Sequence, residues 1–151
     1  MKRRRAGRIV LPAVILVTTL AIWVQSLLPA VQSQVQSDAV KGLLSQFLGQ
    51  GPLALFLLTH IRKVAHFTEF ALLGAEWSLY ARSRRRRQRR WLWTAVMGLP
   101  TAMMDELLQF GSEGRSPQIG DVLLDSGGYA CGFLLVLGAV WLWGRFRRRK
   151  T

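Results

Sequence analysis

The sequence predicts an all-α integral membrane protein. Its core is a four-helix bundle with both termini in the cytoplasm, and a short amphipathic helix lies in its first outer loop. Three observations predict this. Half of the 151 residues are apolar, although Lys plus Arg number 21 against 8 Asp plus Glu, a net charge of +13. The apolar residues stand in long blocks, residues 9–24 and 126–144 being free of charge, and such blocks read as membrane spans. The basic residues form three large clusters, at 2–8, 82–90 and 145–150, and a small fourth, Arg62 and Lys63; the positive-inside rule places the three large ones in the cytoplasm.

An even number of crossings must separate successive cytoplasmic clusters. Four spans satisfy this, at about 9–28, 59–81, 91–110 and 121–144, within a single domain covering 1–151. Span one follows the first basic cluster. A cleaved signal peptide ending near Ala30 is its rival, but the apolar run is long enough to span. In the outer loop 29–58, Val40, Leu43, Leu44, Phe47 and Leu48 follow helical spacing, which predicts a short helix on the outer surface. Gly49–Pro52 breaks it.

Span two ends at Tyr80, and the basic loop 82–90 anchors the topology and meets anionic lipid headgroups. Span three opens at Trp91 and Trp93, with Pro100 as a tolerated kink. The turn-rich stretch GSEGRSPQIG (111–120) joins it to span four. Trp141 and Trp143 close span four beside the basic tail 145–151. These aromatic residues form an inner interfacial belt. The expected location is the plasma (inner) membrane, multi-pass. This composition excludes a soluble nucleic-acid binder, so no nucleic acid is expected as partner. It also excludes a disulfide scaffold, since Cys131 is the single cysteine.

Polar residues inside the spans point to a site. Spans two to four carry Lys63, His66, Glu69, Glu76, Asp105, Glu106, Gln109, Asp121 and Asp125. Each ionisable group at the bilayer centre costs about 2.5–3.5 kcal/mol, and such groups face a bundle interior or wet cavity. At about 1.5 Å per residue, Asp105 lies about 21 Å above Trp91, and His66 about 21 Å above Tyr80. Asp125 lies about 27 Å and Asp121 about 33 Å above Trp143. Three spans thus bring acids and bases to one level in the outer half of the membrane, where span one contributes Gln25 and Ser26. Gly128 and Gly132 are spaced for close helix approach below the carboxylates. Glu76 reads as a structural partner of the arginine run.

The stretches RKVAHFTEF (62–70), MDELLQF (104–110), GRS (114–116) and DVLLDSGGYACG (121–132) resemble the VanZ-like family of small bacterial membrane proteins. The resemblance covers about two thirds of the chain. It implies a four-helix integral membrane protein of the cell envelope, and the family's namesake is associated with glycopeptide resistance. The family's polar signature falls on Lys63, His66, Asp105, Glu106, Gln109, Arg115, Asp121 and Asp125. Where the family often ends span one in several serines, only Ser26 stands here.

Three function readings follow. In the first, an envelope-modifying enzyme, His66, Asp105, Glu106 and Asp125 are the candidate catalytic residues. Lys63, Gln109, Arg115 and Asp121 bind the substrate, a membrane lipid or lipid-linked envelope molecule. A divalent cation on the carboxylates and histidine is a possible cofactor. In the second, the same site binds an envelope lipid or amphiphilic drug without turnover. A structural accessory protein, whose polar cluster only secures the fold, is the third reading.

Overall fold

The computed structural model describes residues 2–49, 51–83 and 88–148. The described residues form seven helices and no strand: α1 Lys2–Ser26, α2 Ala30–Leu44, α3 Pro52–Thr59, α4 Ile61–Ser83, α5 Gln88–Val96, α6 Gly98–Phe110 and α7 Ile119–Arg148. Of the basic clusters, residues 84–87 and 149–151 lie outside the described residues.

The helices depart from the sequence reading in three places, each for a local reason. In the outer loop the helix starts at Ala30 and ends at Leu44, instead of centring on 40–48. Pro29 occupies the N-cap position with φ −53°, and the helix runs on through Gly42 to Leu44. Phe47 and Leu48, the last positions of the apolar stripe, fall in the turns beyond the helix, and α2 buries none of its residues. Ahead of span two, Pro52 opens the separate short helix α3 in a first-turn position that suits proline. Span three divides at Met97. Pro100 has no N–H to give to the Val96 carbonyl, so the ladder lapses there and resumes from Thr101 N to Met97 O at 3.3 Å. Pro12 breaks nothing; α1 runs through it.

Four of these segments pack in a ring. α1 lies against α4 and α6, and α7 lies against the same two. Side-chain pairs fix their directions. Thr18 meets Glu76 and Gln25 meets Glu69, so α1 and α4 are antiparallel. Trp23 meets the Thr101 carbonyl and Ser26 meets Asp105, so α1 and α6 are parallel. Gly128 faces Phe67 and Gly132 faces Ala71, so α4 and α7 are parallel. A Cβ at either glycine would land on the carbonyl oxygen of Phe67 or Ala71, and this backbone approach makes α4–α7 the most extensive pair. The core between the four is Ile15, Ile22, Phe70, Leu73, Ala102, Tyr129 and Phe133. Tyr129 satisfies its buried hydroxyl by donating to the Thr94 carbonyl.

These directions sort the polar residues. Ser26, His66, Asp105 and Asp125 gather at one end. At the other, Arg82, Trp91, Trp141 and Arg145 line a common groove. Two helices are long and apolar enough to cross a membrane: Ile9–Ser26 of α1 and Ile119–Arg147 of α7. Only 17% of the first stretch and 28% of the most apolar 18-residue window of the second are buried, the reverse of a core helix in a soluble protein. Val14, Leu16, Val17, Leu134, Leu135 and Leu142 are exposed on them. α4 is 23 residues long but carries charges, and α5 and α6, at 9 and 13 residues, are short taken singly.

Candidate functional site

The site begins with three side chains from three helices: His66 of α4, Asp105 of α6 and Asp125 of α7. His66 Nδ1 lies 3.9 Å from Asp105 Oδ2 and 3.9 Å from Asp125 Oδ2. One ligand-type atom from each residue falls within 4.8 Å of the others, close enough for one ion to draw the three together. Asp105 is fully buried and firmly held. Ser26 Oγ donates to its Oδ1 at 2.6 Å, and Gln109 Nε2 donates to its Oδ2 at 3.2 Å. The Gln109 contact is a one-turn pair on α6. Asp125 is equally buried, but its Oδ1 has no hydrogen-bond partner among the described residues, and neither has His66 Nδ1.

Above the trio opens a cavity of about 300 Å³. His66 and Asp125 form its floor, Arg62, Lys63 and Arg115 its basic wall, and Asp121 faces Lys63 across it. The Lys63–Asp121 ion pair spans 3.7 Å, with the lysine more than half exposed, so it contributes little stability. Arg115 comes from the 111–118 loop, which turns at Gly114 with φ +74°, a left-handed conformation that favours glycine. Its guanidinium donates to the last carbonyls of α1, Ser26 at 3.5 Å and Gln25 at 3.4 Å. A cation at a helix C-terminus is favourable against the dipole. Ser112 Oγ also reaches the Ser26 carbonyl at 2.8 Å, so the loop is tied down on α1. Burial and the neighbouring Arg62 hold the Arg115 guanidinium below its ordinary pKa; it stays charged.

The structure therefore brings six of the eight sequence candidates to the cavity: Lys63, His66, Gln109, Arg115, Asp121 and Asp125. Asp105 lies against His66 just below. Glu106 is not in the cavity lining but lies at its edge, against Gln118. Its Oε1 accepts the Gln118 backbone N–H at 2.5 Å, securing the loop just ahead of α7. Glu76 pairs with Thr18 of α1 at 2.9 Å rather than with an arginine among the described residues. Arg62 was not among the candidates. It lines this cavity and also a second groove between α2 and α4, where Gln25, Ser37, His66 and Glu69 meet. Its spacing was the available signal: Arg62 precedes His66 by four residues and so shares its face of α4.

Chemically the arrangement offers an imidazole and two carboxylates for proton transfer or ion binding, beneath a wall of cations suited to an anion. Searches of curated proteins and of solved structures returned no match to the chain. Residues 10–143 match the VanZ/LLP1 family, a stretch holding every residue of this site. The chain belongs to the VanZ/LLP1 family.

Proposed function

We propose that the protein is a four-pass membrane protein of the plasma membrane. On this reading both termini and the 82–90 loop are cytoplasmic, and the cavity holds the phosphate headgroup of an envelope lipid or lipid-linked substrate. The alternating helix directions support the four passes. They put Arg82 and Arg145, which belong to two of the basic clusters, at the end opposite the cavity, and on the positive-inside rule the cavity then lies in the outer half of the membrane. α5 and α6, short singly, together give one pass kinked at Pro100.

The observation that carries the headgroup reading is the basic wall. Arg62 and Arg115 line one cavity and repel each other, and an anion shared between them lowers that repulsion. A phosphate meets that need, the arginines offering forked contacts. The acyl chains of such a ligand would run down the exposed apolar faces of α1 and α7. His66 at the floor is placed for acid–base work on the bound group.

The test uses the full chain in nanodiscs. Delipidated protein is offered phosphatidylglycerol, a polyprenyl phosphate or phosphatidylcholine, and retained lipid is measured by mass spectrometry. Anionic headgroups should be retained over phosphatidylcholine. One charge-assisted contact is worth about 1.5–3 kcal/mol, so Arg62→Ala should weaken retention about 10–100-fold. Equal retention of zwitterionic and anionic lipid would reject the reading. Turnover of a labelled lipid distinguishes an enzyme from a binder.

A further inference from the structure

The floor of the cavity is only half satisfied, and the unsatisfied half has a definite shape. His66 Nδ1 stands 3.9 Å from a carboxylate oxygen of Asp105 and from one of Asp125. Both gaps exceed hydrogen-bond range. The Asp125 side chain is 2% exposed, lines the cavity, and leaves Oδ1 without a partner among the described residues. Leaving buried polar atoms unmatched is costly. A proton on Nδ1 serves one carboxylate at most and leaves the other charge unmatched. A divalent cation serves all three groups, and its charge cancels that of two carboxylates beside a neutral imidazole.

The two distances from the imidazole nearly suit an ion already. Ligands about 2.0–2.2 Å from a metal stand about 3.0 Å apart at right angles and about 3.4 Å apart at the tetrahedral angle. The 3.9 Å pairs therefore need to close by about half an ångström, within reach of small side-chain rotations. Asp105 is also held as a metal ligand is held. Ser26 Oγ and Gln109 Nε2 both donate to it, and outer-shell donors of this kind orient ligating carboxylates.

We propose that His66, Asp105 and Asp125 form a divalent-cation site of the Zn²⁺ or Mn²⁺ class, with an open coordination position facing the cavity. One imidazole with two carboxylates suits these ions. Three protein ligands with one side open is the arrangement of catalytic rather than structural zinc. The site shares its cavity with the headgroup reading but rests on the floor ligands alone.

The experiment titrates chelator-stripped, detergent-solubilised full chain with ZnCl₂ and MnCl₂ by calorimetry, with metal content measured after gel filtration. One ion per chain is expected. Asp125→Asn and His66→Gln should each weaken binding at least tenfold. Ser26→Ala, which removes only an outer-shell donor, should weaken it about 10–100-fold. Asp38→Asn, on the exposed face of α2, should change nothing. Circular dichroism confirms that the variants compared are folded, and the wild type's own melting temperature should rise with the ion. Substoichiometric binding by the wild type would overturn the proposal. So would unchanged affinity in both Asp125→Asn and His66→Gln. Lipid retention is measured on the stripped protein. If no ion binds but anionic lipid is retained, the cation site falls and the headgroup reading stands; the opposite result separates them the other way.

Discussion

Replacing Gly128 by alanine should open the site from below. Gly128 lies three residues beyond Asp125 on α7, and its Cα faces the Phe67 carbonyl, one residue past His66 on α4. An added Cβ would sit on that carbonyl oxygen. Backbone cannot rotate aside as a side chain can, so the helices must part locally by about 1 Å to restore van der Waals separation. Overpacking of this kind costs about 1–3 kcal/mol. The same displacement lengthens the 3.9 Å gap between His66 and Asp125, and misplacing a site by about 1 Å can cost about 100-fold.

The neighbouring glycine supplies the control. Gly127 has nothing within 4 Å of a built Cβ. Alanine there adds only helix propensity, a gain of about 0.5–1 kcal/mol. Two identical substitutions at adjacent positions should therefore move stability in opposite directions. Thermal melts in detergent measure the stability difference, and lipid retention and ion titration measure the site. If Gly128→Ala melts at or above Gly127→Ala, or keeps wild-type binding, the close α4–α7 approach does not set the geometry of the site.

Three further predictions use other parts of the fold. With Cys131 replaced by alanine, a cysteine at Glu113 should react with an impermeant maleimide from outside whole cells and one at Arg86 should not; the reverse pattern would invert the topology. Arg115→Lys keeps the charge but loses the two-pronged contact to the Gln25 and Ser26 carbonyls, about 1 kcal/mol, and should lower the melting temperature by about 2–4 °C, whereas Arg62→Ala should leave it unchanged and lower anionic lipid retention; equal melting losses would mean that Arg62 is a structural residue. Ser26→Ala removes a 2.6 Å bond to Asp105 and should cost about 1.5–3 kcal/mol. A neutral result in thermal melts would mean that Asp105 does not depend on α1.

The trio was legible because helical rise is constant and the interfacial aromatics give every span a common origin. Counting from Tyr80, Trp91 and Trp143 carried His66, Asp105 and Asp125 to neighbouring heights without any knowledge of packing. Rotation about each helix axis was harder to read. Asp105 and Glu106 are consecutive, so they point about 100° apart; one faces His66 and the other holds the Gln118 N–H, and sequence does not say which. The partners of Arg115 were invisible for another reason. They are the backbone carbonyls of Gln25 and Ser26, which no side chain announces. The outer helix was misplaced because its apolar stripe was weighed above its boundaries. Pro29 and Gly49 delimit the whole helical stretch, and none of α2 is buried against a core that would have shaped the stripe.

The uneven satisfaction of the cluster bears on whether it is there for packing alone. A polar cluster kept only to secure helices gains by closing every hydrogen bond, because an unpaired buried group costs about 1–3 kcal/mol. The Asp105 carboxylate meets that description, held by Ser26 and Gln109. The Asp125 side does not. Its Oδ1 and His66 Nδ1 are buried and without partners, and both border a cavity walled by cations. A mere clamp does not require Asp125 and His66, because exchanging a buried charged pair for apolar residues is often neutral or stabilising. Two unpartnered groups beside a third, firmly held carboxylate are the pattern of groups whose partner arrives from outside the chain.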